Sequence, residues 1–200
     1  MSLLEPPPTW SSWEELERDA CACTKCALAV GRTQVVFGTG NREANLVFVG
    51  EGPGAEEDRQ GIPFVGRSGQ LLTRLIEGIG MTRDDVYIAN VVKCRPPGNR
   101  DPLPGEIGAC RPYLEAQLDL LRPAVVVTLG NFATKLLLDT REGITKLRGR
   151  SFPFRRGDSV VLPTVHPSAV LRGGGPALAQ ARADFVVIKR AIAQAESERS

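Results

Sequence analysis

Apolar residues gather along the chain into four short runs, ANLVFVG (44–50), DVYIANVVK (85–93), AVVVTLG (124–130) and SVVLPTV (159–165). Within each run valine and isoleucine follow one another instead of alternating with polar residues. Strands buried on both faces read this way, so the pattern predicts a parallel sheet covered by helices. Between the runs the spacing turns helical, over 69–80, 105–121 and 131–140, with a last helix over 177–196. Strands alternating with helices predict an α/β fold, a three-layer α/β/α sandwich whose four runs are parallel strands. Residues 1–11 read as a flexible lead-in, 12–196 as a single domain, and the final ERS as a frayed end.

In an open parallel sheet, ligands bind beyond the carboxyl ends of the strands. The residues that follow each run are GEGPG, then Asn90 with KCRPP, then LGN, then HPS. All the chemically distinctive segments therefore fall on one edge of the predicted sheet.

Composition narrows the function classes. The chain has 200 residues, 42% hydrophobic and 24% charged, which suits one globular domain. Lys and Arg number 25 against 23 Asp and Glu, a net charge of +2. A strongly basic chain would advertise nucleic-acid binding by itself; here any phosphate contact must come from a local patch. No apolar run approaches the roughly 20 residues that span a bilayer. The opening MSLLEPPPTWSSWEELERDA carries neither the basic nor the apolar region of a secretory signal. The expectation is a cytoplasmic protein without a membrane association, acting as a monomer, whose cysteines are not disulfides.

Cys21, Cys23 and Cys26 form a CxCxxC, with Cys94 and Cys110 far downstream. The first three sit in polar sequence ahead of any core strand, where burial is not expected. Zinc and iron–sulfur clusters both accept four thiolates, and spacing alone does not separate them. Buried free thiols and a redox CxxC also remain open, the second without the βαβ context such pairs occupy.

Gly50-Glu51-Gly52-Pro53-Gly54-Ala55 satisfies a dinucleotide-binding spacing after a strand. Against it, Pro53 removes an amide, Glu56, Glu57 and Asp58 would face phosphates, and the next fifteen residues read as a loop rather than a helix. A glycine turn of this kind also lets backbone and carboxylates approach a ligand closely. Phe64 follows on that loop; it either folds onto the core or stacks on a flat ring. Asn90 lies in an apolar strand, where its amide needs partners, either backbone groups or the polar edge of a base. His166, the single histidine, ends the fourth run; it is structural or, from its place at the ligand edge, functional.

In order and spacing, GEGPGAEED, GIPFVGRSGQLL, NVVKCRPPGNRDP and HPSAVLR resemble the family 4 uracil-DNA glycosylases, from about Cys23 to the last helix. The resemblance implies a four-stranded parallel sheet between helices, a [4Fe-4S] cluster on Cys23, Cys26, Cys94 and Cys110 with Cys21 spare, and uracil-containing DNA as substrate. It also implies the pocket. Phe64 would stack on the flipped uracil, Asn90 would read its Watson–Crick edge, and backbone near Glu51 and Gly52 would contact the ring. His166 would hydrogen-bond O2 as the glycosidic bond breaks. HPSAVLR resembles the loop that enters DNA at the vacated base, with Leu171 as wedge and Arg172 on a phosphate.

One departure matters. Gly52 stands where the family 1 enzymes carry a water-positioning aspartate, so Glu51, or else Glu57, would take that task, and Glu57 would otherwise exclude thymine at C5. Relatives that bond covalently to DNA carry a second histidine, absent here, and family 5 enzymes lack the glutamate at position 51. Lys146, Arg148, Arg150, Arg155 and Arg156 form a basic cluster for the DNA backbone or, more plainly, a solvated loop. The opposing classes are an iron–sulfur electron-transfer protein and a non-catalytic DNA-binding module.

Overall fold

The structure, a computed structural model, describes residues 9–154 and 159–199. The four apolar runs form β2 (Leu46–Gly50), β3 (Tyr87–Asn90), β4 (Val125–Leu129) and β6 (Val160–Thr164), buried at almost every position. They pair in parallel, with Val47 opposite Tyr87 and Val126, and Val127 opposite Leu162. Among the described residues the sheet is nonetheless mixed and six-stranded, in the order β1-β3-β2-β4-β6-β5. Two-residue edge strands, β1 (Thr39–Gly40) and β5 (Phe152–Pro153), run antiparallel to β3 and β6. The four-stranded expectation missed them because two residues carry no hydrophobic period. Pro153 is tolerated because an edge strand can spare an amide.

Helices cover both faces, as α1 (Trp13–Ala22), α2 (Leu28–Gly31), α3 (Ala55–Gln60), α4 (Arg67–Glu77), α5 (Pro104–Leu121), α6 (Asn131–Leu138), α7 (Ile144–Leu147) and α8 (Pro167–Arg199). Alternate strand residues choose the layer. Leu46, Phe48, Val125 and Val127 meet Leu72 and Ile76 of α4 and Phe185 and Ile188 of α8. Val47, Val49, Val126 and Val161 meet Leu114 and Leu118 of α5 and Ala133 and Leu137 of α6. Phe48 stacks on Phe185 at 5.7 Å between ring centroids, and truncating such a ring in a packed core costs about 3–5 kcal/mol.

Three segments differ from the sequence expectation. The acidic stretch after GEGPG is not all loop, because α3 begins at Ala55. The dinucleotide spacing is therefore followed at once by a helix; Pro53 and the acids of its first turn still weigh against phosphates there. HPSAVLR is helical rather than a loop, the first turns of α8, which breaks at Gly174 (φ 65°) before the expected 177–196 segment. Ahead of the sheet, α1 packs Leu16 and Ala20 on Tyr113 of α5, and Trp10 lies against the same ring at 5.1 Å, tilted by 33°. No helix among the described residues is long and apolar enough to cross a membrane.

Candidate functional site

The chain passes from β2 to β3 on one side and then crosses back over β2 to β4 and β6 on the other. A crevice opens beyond the carboxyl ends of strands so arranged. Here it is a cleft of about 590 Å³ that gathers Glu51, Gly52, Glu57, Phe64, Asn90, His166 and Arg172.

Gly50 lies beneath the floor, under two of the residues that line it. A Cβ there would lie 2.4 Å from Asn90 Oδ1 and 2.5 Å from Phe64 Cζ, so the amide and the ring tip meet directly above it. Gly52 is similarly crowded, its hypothetical Cβ 2.7 Å from Val92 Cγ2. Phe64 holds a left-handed backbone (φ 55°), a conformation costing a bulky residue of order 1–3 kcal/mol. Its ring sits 5.8 Å from the His166 ring, tilted by 36°.

Asn90 ends β3 and is 1% exposed, and its Oδ1 is buried without a hydrogen-bond partner among the described residues. Leaving such an oxygen unpaired costs about 1–3 kcal/mol in the free protein. Structural satisfaction by backbone, the bland explanation of a strand asparagine, does not reach this atom. The backbone beneath is fixed instead: buried Lys93 Nζ donates to the Asn90 carbonyl at 2.9 Å and to Gln117 Oε1 at 2.5 Å. Gln117 passes the network on to Phe37 O and Tyr87 Oη.

His166 follows β6. The Ser168 amide donates to its Nδ1 at 3.2 Å, and Ser168 Oγ lies 2.9 Å from the same atom. An Nδ1 that accepts leaves the ring proton on Nε2. Burial, reinforced by the Arg172 charge and opposed by Glu57, pushes the imidazole down to about 4. At neutral pH His166 is therefore an uncharged N–H donor.

The two candidate carboxylates are placed very differently. Glu57 is consumed by the backbone: Oε1 accepts from the Val65 and Gly66 amides at 3.0 and 2.9 Å, and Oε2 from Gly54 at 3.2 Å. The Glu51 carboxylate accepts no hydrogen bond from a described residue, although its backbone carbonyl takes the Val92 amide at 3.0 Å. Burial first, and the Asp101 charge second, push its carboxyl up to about 7. A carboxylate poised near the working pH suits a general base.

At the rim, Arg172 lines the cleft, whereas Leu171 lies outside the lining, 39% exposed on the first turns of α8. Arg67, Arg100 and Ser168 also line it and were not singled out from the sequence, although all three lie inside the quoted motifs. Arg100 is engaged bidentately by Glu106, at 2.9 and 2.6 Å. In the basic cluster, Arg148 is tied to Asp184 and Gln180 O, and Arg150 lies over the Phe152 ring. Arg155 and Arg156 lie outside the described residues.

Cys23, Cys26, Cys94 and Cys110 line one small cavity together with Arg32 and Lys93, while Cys21 is exposed and apart from it. Among the described residues no three His, Cys, Asp or Glu side chains meet as ligands of a single metal ion. A four-iron cluster makes a different demand, one thiolate at each of four separate irons, so its ligands ring a cavity instead of converging on a point. The donor set fits that demand. Two N–H groups already point at sulfur, Lys93 N to Cys110 Sγ at 3.2 Å and Arg32 Nη1 to Cys94 Sγ at 3.5 Å. Burial raises the Cys94 thiol and pushes Cys110 up to about 11, so both bind metal only with loss of a proton.

Fold and cleft together define an α/β protein with a preformed polar cleft at the carboxyl edge of its sheet. Residues 37–186 match the profile of the family described as the Uracil DNA glycosylase superfamily. A type-4 uracil-DNA glycosylase of Thermotoga maritima is 52% identical over 151 residues, 75% of this chain and 78% of that protein. Type-4 uracil-DNA glycosylases of Sulfurisphaera tokodaii and Archaeoglobus fulgidus are 46% and 45% identical, over 80% of this chain in each case and 76% and 83% of their own lengths. The chain belongs to the uracil-DNA glycosylase superfamily and, within it, to the type-4 uracil-DNA glycosylases.

Proposed function

We propose that this chain hydrolyses the N-glycosidic bond of deoxyuridine in DNA, as a monofunctional glycosylase of base-excision repair working in the cytoplasm as a monomer. The observation that carries the reading is the cleft floor. Asn90 there holds an unpartnered buried Oδ1 beside the Phe64 ring, in a chain of this family.

A target base inside the duplex is out of reach until it is flipped, so the cleft receives an extruded nucleotide. Phe64 stacks on the uracil face. The Asn90 amide accepts from N3–H and donates to O4, a pairing cytosine reverses. As the C1′–N1 bond breaks, its electron pair leaves with uracil, and neutral His166 stabilises the growing charge by donating from Nε2 to O2. Water then adds to C1′ and its proton passes to the Glu51 carboxylate. The three backbone bonds of Glu57 support a holding role for that residue in preference to water activation. Leu171 serves as the wedge at the vacated base and Arg172 as a phosphate contact.

Cys23, Cys26, Cys94 and Cys110 would hold a [4Fe-4S] cluster. When bound, its iron–thiolate bonds supply cross-links joining the segment after α1, the loop after β3 and α5. The redox alternative is not favoured, because the relatives are named as glycosylases. The test is a labelled oligonucleotide carrying one deoxyuridine. Strand breaks only after alkali, weakened by at least tenfold in Asn90→Ala and in His166→Ala, are expected. Alkali-labile sites made equally well by both variants would remove the pocket assignment.

A further inference from the structure

Phe64 stands in a left-handed backbone conformation that an aromatic residue does not adopt unaided. Rotating the 63–64 peptide would change that φ and release the strain, while the 64–65 peptide sets ψ of Phe64; both peptide groups are held. Arg83, in the short turn Arg83–Asp85 ahead of β3, reaches across the molecule to this loop. Its Nη2 donates to the Pro63 carbonyl at 2.8 Å and its Nη1 to the Phe64 carbonyl at 3.1 Å. Nη1 is also steadied by Thr73 Oγ1 of α4 at 3.3 Å. From the other side, Glu57 takes the amides of Val65 and Gly66. The 64–65 peptide group is thus gripped at both ends, its oxygen by a guanidinium and its N–H by a carboxylate. Hydrogen bonds to charged groups are the stronger class. The first turn of α4 closes the remaining space, since a Cβ at Gly69 would sit 1.8 Å from the Phe64 oxygen.

We propose that Arg83 is a positioning residue for base recognition, fixing the Phe64 ring over the cleft floor before a base arrives. The inference rests on the reading that Phe64 stacks on uracil. Arg83 is not among the residues lining the cleft, so it acts through Phe64 and not by contact with a base held there. Its planar fork is what the site uses: two adjacent carbonyls are taken by two nitrogens of one rigid group, which a lysine ammonium cannot match. A ring pre-placed in this way loses little freedom when the base stacks on it, which is how preorganisation raises affinity.

The test is a double-mutant cycle read by single-turnover excision, on a single-stranded oligonucleotide carrying one deoxyuridine. The proteins are wild type, Arg83→Met, Phe64→Ala and the double variant, with inhibition by free uracil measured alongside. Arg83→Met is expected to slow excision by about tenfold to a hundredfold, the scale of a misplacement of about 1 Å. It should weaken uracil inhibition in parallel, and add nothing in the Phe64→Ala background. Arg83→Lys should recover part of the loss. If Arg83→Met gives no cooperative melt, the same cycle run with Arg83→Lys decides. Losses that multiply in the double variant, or an Arg83 variant with unchanged uracil inhibition, would overturn the inference while leaving the glycosylase reading intact. A wild type that makes no abasic sites would strike at that reading instead.

Discussion

Replacing Gly50 by alanine puts one methyl group beneath the floor of the cleft, against Asn90 and Phe64. At its ideal position the new Cβ lies 2.4 Å from Asn90 Oδ1, and 2.5 and 2.7 Å from Phe64 Cζ and Cε2. Ordinary carbon contacts begin near 3.5 Å, so each neighbour must retreat by about 1 Å. Neither has room. Asn90 is 1% exposed on a central strand, with its carbonyl held by Lys93, and Phe64 is pinned through the peptides on both sides. Overpacking a filled site costs about 1–3 kcal/mol. For a chain of this size that lowers the melting midpoint by about 2–4 °C per kcal/mol. The functional penalty is larger, because both displaced groups define where uracil lies, and about 1 Å of misplacement is worth on the order of a hundredfold in rate. The assay is single-turnover excision run well below the variant's own midpoint, so that unfolding does not contribute. A Gly50→Ala protein that melts lower yet excises uracil at the wild-type rate would refute the reasoning, because the ring and the amide would then not be set by this floor.

Three further outcomes follow from the same geometry. Activity should fall as pH drops through about 7, where Glu51 takes up a proton; Glu51→Gln should flatten that limb, and Asp101→Asn should move it to lower pH by removing a repelling charge. His166 resists protonation down to about 4 when folded but accepts a proton near 6.5 when unfolded, so the unfolded state binds more protons between those values. Stability from this residue is full above pH 6.5 and is lost toward pH 4, by about 3 kcal/mol. Glu51, whose raised carboxyl gains stability as pH falls over nearly the same range, offsets this in wild type, so the loss is read as the difference between wild type and His166→Gln in denaturant titrations at both ends of the window. Cys110→Ala should lower bound iron and the melting midpoint together, whereas Cys21→Ser should change neither, as measured by iron content and thermal melts.

The sheet was legible because its four parallel strands are buried on both faces, which concentrates valine and isoleucine into runs that polar loops interrupt. What escaped notice is held by polar contacts instead. α3 has no apolar face; of its residues only Asp58 is buried, and the helix is fastened by Glu57 at one end and left-handed Gly61 at the other. α1 buries only Leu16 and Ala20, yet it carried a signal that was available: Ser12 caps the Glu15 amide, and the Glu15 carboxylate returns to Ser11. Glu51, Asn90 and His166 could be picked out because each follows or ends a strand on one edge, a position that topology alone makes significant, and Phe64 because it is the aromatic on the segment that follows GEGPG. Arg83 and the backbone duty of Glu57 could not. Their partners are peptide groups brought near by the fold, and no side-chain pattern announces such contacts.

The central claim is the reaction itself, and it is tested most directly by mass-spectrometric measurement of free base released from an oligonucleotide with a single deoxyuridine. The proposed function predicts one equivalent of free uracil per strand, an intact backbone before alkali, and no base released from matched strands carrying thymidine or deoxycytidine. No free uracil from iron-loaded protein that binds the same oligonucleotide would contradict it, and would make the chain a DNA-binding member of a glycosylase family.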